Sequence, residues 1–136
     1  MQDSVVVKAP AKLNLFLRII GQKDNGYHII RTGITFLDLY DEINISLNDT
    51  NNLTYFGPYK PSSLIYEKDI IVKILNNIIL KKKSKVKIKI KKNIPWKAGL
   101  GSASTNAASV IKGLQRLGLI NDIDNNFLFT IGADVP

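Results

Sequence analysis

Apolar and polar residues alternate with a period of two over much of the first third of the chain, which predicts strands. Two strands are expected, at Val5 to Val7 and at Leu13 to Ile20. Between them Ala9-Pro10-Ala11 predicts a stiff join, because proline has no N–H to give to a sheet ladder. The segment GQKDNG then predicts a hairpin connection, since its Asn25-Gly26 pair supplies the positive φ angles of tight turns.

The alternation resumes after this connection. A strand is predicted from Tyr27 to about Leu39, Asp41 and Glu42 are expected to turn the chain, and Ile43 to Leu47 predicts a further strand. The pattern weakens between Leu53 and Ser63, where a Gly-Pro and a Lys-Pro pair indicate irregular structure.

Helical spacing follows from Leu64 onward, with apolar residues at Ile70, Ile71, Ile74, Leu75, Ile78 and Ile79. A second helix is predicted to end at Gly118, and its apolar face consists of Ala107, Ala108, Val110, Ile111, Leu114 and Leu117. A short helix capped by Asp122 or Asp124 is expected near the end of the chain. Strands followed by helices predict a two-layer α+β domain whose helices cover one face of the sheet.

Charge changes this picture little. The net charge is +8, and most of the excess lies between Lys81 and Lys92, in KKKSKVKIKIKK. Lysines there alternate with Val86, Ile88 and Ile90, which predicts a strand with one buried and one solvated face. Because the arginines and aromatic residues that read nucleic acids are missing from this run, a solvated face is favoured over nucleic-acid binding.

The composition is typical of one soluble domain. At 136 residues, of which 45% are hydrophobic, the chain can bury a sizeable core. It contains no cysteine, which excludes disulfides and thiolate metal sites. Neither a leader peptide nor an apolar run of membrane-spanning length is present in the sequence, so we expect a cytoplasmic protein without a membrane partner.

The segment with the clearest chemistry is IPWKAGLGSASTNAASV, residues 94–110. Gly99 and Gly101 let a ligand approach the backbone closely, and the unpaired N–H groups at the start of the next helix suit a phosphate. Hydroxyls of Ser102, Ser104 and Thr105 can donate to phosphate oxygens or join the shell of a Mg²⁺ ion. Walker loops and dinucleotide fingerprints are excluded, because no Gly-Lys pair and no third glycine is present. The alternative is a tight turn before an alanine-rich core helix.

Pro-x-x-x-Gly-Leu-Gly followed by small residues and hydroxyls resembles the ATP-binding motif of the GHMP kinases. Two further segments resemble this family: Ala9-Pro10-Ala11-Lys12-Leu13-Asn14-Leu15, and Gly132-Ala133-Asp134-Val135-Pro136. Gly26-Tyr27-His28 is similar to the cytidine site of one branch of it. That branch phosphorylates the 2-hydroxyl of a cytidine diphosphate derivative of methylerythritol in non-mevalonate isoprenoid biosynthesis.

This resemblance implies that residues 1–136 form the N-terminal domain of such a kinase, with a mixed sheet and helices on one face, a fold shared with a ribosomal protein. It implies a phosphotransferase that uses ATP with Mg²⁺. Asp134 would be the catalytic base with the Lys12 ammonium beside it, and Asn14, Tyr27 and His28 would bind the acceptor. The ATP-binding residues would be Pro95, Trp96, Lys97, Ala98, Gly99, Leu100, Gly101, Ser102, Ala103, Ser104 and Thr105, with Ser104 or Thr105 helping to place Mg²⁺.

The chain differs from the family pattern at two points. Ser102 and Ala103 stand where the family usually has glycines, so room for the phosphates requires ordinary backbone angles there. Members of the family continue into a second lobe that completes the cleft, which a separate chain could supply. The alternative function is therefore that of a truncated, catalytically silent domain that binds nucleotide or a partner.

Overall fold

The computed structural model describes residues 3–24, 28–61, 69–78, 80–95 and 102–121. Within these ranges four strands and two α-helices are found: β1 Ser4–Gln22, β2 His28–Asn48, β3 Asn52–Phe56, α1 Ile70–Asn77, β4 Lys85–Lys91 and α2 Ser102–Arg116. The strand order is β1-β2-β4-β3, with β3 parallel to β4 and the other pairs antiparallel. The expected α+β class with a mixed sheet is confirmed.

Both helices pack on one face of this sheet. The strands contribute Val7, Ile45 and Ile88 to a core that also contains Ile74 of α1 and Leu114 of α2. Gly113 brings α2 close to the sheet, because a Cβ there would lie 2.6 Å from the Cδ1 atom of Ile45. A larger side chain would therefore have to displace the Ile45 side chain or the helix itself.

The lysine-rich strand β4 follows the predicted alternation. Val86, Ile88 and Ile90 are fully buried under the helices, and Lys85 and Lys89 are exposed on the opposite face. Lys92, which follows the strand, departs from the prediction of a solvated run because it is fully buried. The solvated-face interpretation thus holds for the strand and fails at its end.

Two predicted interruptions of the strands are wrong. β1 is continuous through Ala9-Pro10-Ala11, and a register shift between Pro10 and Lys12 places residues 37–39 of β2 opposite the single, buried Ala11. Proline is tolerated because β1 lies at the edge of the sheet described here. β2 likewise runs through Asp41 and Glu42, which do not turn the chain.

Residues 52–56, predicted to be irregular, form the strand β3 instead. Leu53 is buried and Tyr55 half-buried, and the strand pairs with β4 in parallel, so its partner is supplied by a segment more than 30 residues away. Gly57 follows with a φ of +98°, and a Cβ there would lie 3.0 Å from the carbonyl oxygen and 3.1 Å from the nitrogen of Lys92. Only glycine fits this close approach at a positive φ.

The helices begin and end at recognisable caps. The helix predicted from Leu64 begins only at Ile70, because Asp69 is an extended N-cap residue, and it ends at Asn77, so that Ile78 is the extended C-cap. α2 ends as predicted: Gly118 has a φ of +73°, and the amides of Gly118 and Leu119 donate to the carbonyls of Gln115 and Leu114.

Other predictions fall outside the described residues. These are the turn at Asn25-Gly26, the beginning of the first helix at residues 64–68 and the short helix after Asp122. Within the described residues, no helix is long and apolar enough to cross a membrane. The cytoplasmic location stays a prediction.

Candidate functional site

The glycine-rich segment leads directly into α2. Pro95 is half-buried, residues 96–101 lie outside the described part of the chain, and α2 begins at Ser102. Ala103 is exposed on the first turn, and the side chains of Ser104 and Thr105 are half-buried. Ser102 and Ala103 have ordinary helical backbones, since positive φ among the described non-glycine residues occurs only at Lys82 and Lys83. Ser102 and Ala103, which stand where the family usually has glycines, therefore have the ordinary backbone angles that the sequence analysis required.

Three of the other predicted site residues, Lys12, Asn14 and His28, lie on β1 and β2. Lys12 is half-buried and pairs with Phe36, and Asn14 pairs with Ile34. His28 is the first residue of β2 and pairs with Gln22. The side chains of Asn14 and His28, and Tyr27 and Asp134 altogether, lie outside what the structure describes, so their roles stay predictions.

A groove of about 540 Å³ lies between β1 and α2. This volume falls within the range of pockets that bind small molecules, about 300–1,000 Å³. Its lining consists of Val6, Val7, Lys8, Pro10, Phe36, Thr105, Ala108, Ser109, Lys112 and Arg116. Phe36 is the ladder partner of Lys12, and Thr105 is on the first turn of α2. The fold thus brings the Lys12 region of β1 and the end of the predicted ATP loop to one groove.

The groove is apolar at its walls and positively charged. Lys8, Lys112 and Arg116 contribute three cations, and among the residues lining it none is acidic. Lys8 also lies 4.6 Å from the centroid of the Tyr40 ring, a cation–π distance. Such a lining suits a ligand that combines an apolar or aromatic part with an anionic group. Sequence analysis did not bring these cations together, because Lys8 is more than 100 residues away from the other two along the chain.

A buried ion pair lies where the chain leaves β4 for the glycine-rich segment. Lys92 Nζ donates to Asp41 Oδ2, and both side chains are fully buried. Asp41 Oδ1 accepts the backbone amides of Asn93 at 2.6 Å and Ile94 at 2.9 Å. Asn93 Nδ2 in turn donates to the carbonyl of Tyr40 at 3.1 Å. The carboxylate therefore holds the two residues immediately before Pro95.

This pair was missed, although the sequence carries a signal for it. Asp41 is in phase with the buried Ile43 and Ile45, and Lys92 is in phase with Ile88 and Ile90. Continuing the period of two past the last apolar residue of each strand would have placed one acid and one base on the same buried face.

Tyr55 lies near both buried carboxylates. Its hydroxyl donates to Asp69 Oδ2 at 2.7 Å. Burial raises the pKa of Tyr55 far above its ordinary value, and the hydrogen bond to Asp69 and the negative charges of Asp69 and Asp41 raise it further. The phenol therefore stays protonated and acts as a donor.

The sequence matches a family model described as the N terminal domain of the GHMP kinases over residues 66–135. Among curated proteins, the chain is 36% identical over 141 residues to the 4-diphosphocytidyl-2-C-methyl-D-erythritol kinase of Polynucleobacter asymbioticus, which covers 99% of this chain and 47% of that protein. It is 38% identical over 141 residues to the kinase of the same name from Wolbachia sp. subsp. Brugia malayi, with 98% and 49% covered. The chain thus spans about half the length of the curated relatives it matches.

Solved structures agree with these matches. A crystal structure of 4-(cytidine 5'-diphospho)-2C-methyl-D-erythritol kinase is similar with a TM-score of 0.70 and 31% identity, over 97% of this chain and 47% of that one. A homoserine kinase from Cytophaga hutchinsonii is similar in fold, with a TM-score of 0.60 and 19% identity over 96% of this chain and 40% of that one.

Proposed function

The chain belongs to the GHMP kinase family, and we propose that it is the ATP-binding part of a kinase that phosphorylates the 2-hydroxyl of 4-diphosphocytidyl-2-C-methyl-D-erythritol. This reaction would place it in non-mevalonate isoprenoid biosynthesis, in the cytoplasm. The observation that carries the proposal is the similarity, along nearly the whole chain, to curated kinases with that name. The groove between β1 and α2 supports it, because a nucleotide combines a flat ring with anionic phosphates.

ATP would be held by residues 95–105. The helical backbone at Ser102 and Ala103 leaves the N–H groups at the start of α2 directed out of the helix, where they suit phosphate oxygens. Mg²⁺ bound to ATP would neutralise phosphate charge. The donors present fit this ion, since the half-buried hydroxyls of Ser104 and Thr105 are hard oxygen ligands on the same turn.

The transfer itself needs a base and a cation. Asp134 would accept the proton of the acceptor hydroxyl. At the same time the hydroxyl oxygen bonds to the γ-phosphorus, and the bond between the γ-phosphorus and the β-phosphate oxygen of ADP breaks. The Lys12 ammonium would keep Asp134 ionised and stabilise the phosphoryl charge. Support comes from the position of Lys12 on β1, opposite a residue that lines the same groove as Thr105. Asn14, Tyr27 and His28 would hold the acceptor.

The test is a transfer assay with Mg-ATP and the acceptor, in which the phosphorylated product is followed by ³¹P NMR. We expect Asp134→Asn and Lys12→Ala each to lower kcat by about 100-fold or more. Lys85→Ala, which changes an exposed lysine on the far face of the sheet, should leave the rate unchanged. Full activity of Asp134→Asn would refute the assignment of the base.

The acceptor is tested separately. Tyr27→Ala should raise the KM for the cytidine substrate by about tenfold or more and leave the KM for ATP unchanged, because a stacked ring contributes on the order of 1–2 kcal/mol. Unchanged acceptor binding would remove the cytidine assignment and leave a kinase for another small alcohol.

A second candidate is a silent domain that binds nucleotide without transferring phosphate. It is favoured by the coverage, since about half of each relative has no counterpart in this chain. Saturable ATP binding without product, both alone and with the second half of a relative added as a separate chain, would establish it. Transfer that appears only on addition of that second lobe would instead identify the lobe as a partner.

A further inference from the structure

We propose that Asp41 is a positioning residue for the ATP site: its buried carboxylate fixes the point at which the chain leaves β4 and enters the 95–105 segment. The inference rests on the proposed function, because it concerns the segment assigned to ATP. Asp41 touches neither nucleotide nor acceptor in this proposal, and it acts through the backbone of Asn93 and Ile94.

The first step concerns the end of the sheet ladder. The last paired residues of β2 and β4 are Glu42 and Lys91. Beyond them, the amides of Asn93 and Ile94 donate to Asp41 Oδ1 at 2.6 and 2.9 Å. The Asp41 side chain thus replaces the backbone of β2 as the hydrogen-bond acceptor for two residues, and the chain leaves the sheet at this point.

The same short segment is also held from its other side. The Lys92 amide donates to the carbonyl of Phe56 at 2.8 Å, and the Lys92 carbonyl accepts the amide of Tyr59 at 3.1 Å. Ile94 is fully buried. Residues 92–94 are therefore fixed on both sides, and Pro95, with its restricted φ, follows at once. A fixed attachment point before Pro95 lowers the conformational entropy that is lost when a ligand binds next to it.

The two carboxylate oxygens of Asp41 have different partners. Asp41 Oδ1 serves the two amides and Oδ2 serves Lys92. Lys92 compensates the charge, since a buried carboxylate without a partner is costly. The two amides need an acceptor oxygen but no charge. An apolar side chain at position 41 would leave both N–H groups unsatisfied in a buried place. Charge compensation and positioning can thus be separated by mutation.

Asp41 also lies between the two sides of the proposed site. It pairs with Ala9 on β1, three residues before Lys12, and its carboxylate holds the entry to the ATP segment. A shift of Asp41 would therefore change the distance between the Lys12 region and that segment. This connection is the reason for expecting an effect on nucleotide affinity beyond an effect on stability.

The experiment compares two charge-free pairs. Asp41→Leu/Lys92→Met removes the charge and the acceptor, and Asp41→Asn/Lys92→Met removes the charge and keeps an acceptor oxygen. We expect the leucine variant to bind Mg-ATP about tenfold more weakly or worse, and its amides at Asn93 and Ile94 to exchange hydrogen faster. The asparagine variant should restore both the affinity and the slow exchange. Asp69→Ala, which disturbs a buried carboxylate at α1, should lower stability without changing either.

Each result decides the proposal. Wild-type affinity and wild-type exchange in the leucine variant would overturn it, as would an affinity that follows only the melting temperatures of all variants. If the wild-type chain binds no ATP, the proposed function fails and the exchange comparison still decides the positioning role. If the leucine variant does not fold, amide exchange of the wild-type protein decides: Asn93 and Ile94 should exchange as slowly as the core of β4, and fast exchange would refute the proposal.

Discussion

Asp41 and Asp69 are both buried carboxylates, and each accepts two successive backbone amides with one oxygen. Asp69 Oδ1 accepts the amides of Ile71 and Val72 at 2.7 and 3.1 Å, the distances expected of an N-cap. Asp41 Oδ1 does the same at the end of a strand. The two residues differ in the partner of the second oxygen, which is a lysine ammonium for Asp41 and the neutral Tyr55 hydroxyl for Asp69.

This difference follows from the surroundings of each charge. Asp69 lies at the N-terminus of α1, where the helix dipole stabilises a negative charge, and 9% of its surface is exposed. Asp41 has no helix beginning at it and 0% exposure, so it depends on a full positive charge. The comparison indicates that a neutral donor suffices where a helix N-terminus supports the carboxylate. Four substitutions or conditions test it, from the largest expected effect to the smallest.

Lys92→Met should be the most destabilising of these changes. It leaves the Asp41 charge buried without its cation, and breaking a buried ion pair on one side costs about 3–5 kcal/mol. Urea denaturation measures the loss. Lys89→Met, which changes an exposed lysine of the same strand, should change the unfolding free energy by less than about 0.5 kcal/mol. A loss below about 1 kcal/mol for Lys92→Met would show that Asp41 does not need its counter-charge.

Asp69→Ala should cost less, about 1–2 kcal/mol, because it removes a helix cap and leaves no lone charge behind. The Tyr55 hydroxyl also loses its acceptor. Asp69→Asn keeps an acceptor for the amides of Ile71 and Val72, so it should recover most of the loss. Should Asp69→Ala prove as costly as Lys92→Met, the distinction between the two carboxylates would be wrong.

Tyr55→Phe isolates the neutral partner. It removes one hydrogen bond to Asp69 and keeps the ring, so we expect a loss of about 0.5–1.5 kcal/mol in urea denaturation. Tyr59→Phe is the matched control, since Tyr59 is exposed, and it should have no measurable effect. No loss for Tyr55→Phe would indicate that the helix N-terminus alone supports Asp69.

Elements with a strong local pattern were predictable from the sequence. β4 alternates Lys with Val or Ile, and α2 combines apolar residues at three and four with Gly118 at its end, so both were found with nearly correct bounds. The elements that depend on distant partners were not. β3 has only five residues and becomes a strand because β4 pairs with it. β2 continues through Asp41 because Lys92, 51 residues away, compensates its charge.

The candidate site also has a part that was predictable from a local pattern and a part that depends on distant residues. The segment from Pro95 to Thr105 was recognisable by its glycines and hydroxyls, and the structure supplies the helical start at Ser102. The groove was not recognisable, because Lys8 and Arg116 come together only when α2 packs on β1. Asp134 and Tyr27 rest on motif resemblance and stay predictions.

The smallest expected effect concerns pH and tests the protonated state of Tyr55. Burial, followed by the hydrogen bond to Asp69, raises the pKa of Tyr55 above that of an unfolded tyrosine. The folded state therefore keeps this proton while the unfolded state loses it, so stability is full below about pH 9 and falls as pH rises through the pKa of the unfolded tyrosine. At pH 10 the loss is about 0.4 kcal/mol, because about half of the unfolded phenol is ionised there.

Urea denaturation from pH 8 to pH 10.5 should show a shallower decline for Tyr55→Phe than for the wild type, and Tyr59→Phe should keep the wild-type slope. Equal slopes for wild type and Tyr55→Phe would mean that the hydroxyl ionises as easily in the folded protein as in the unfolded chain, and that Asp69 is then not held by a neutral donor.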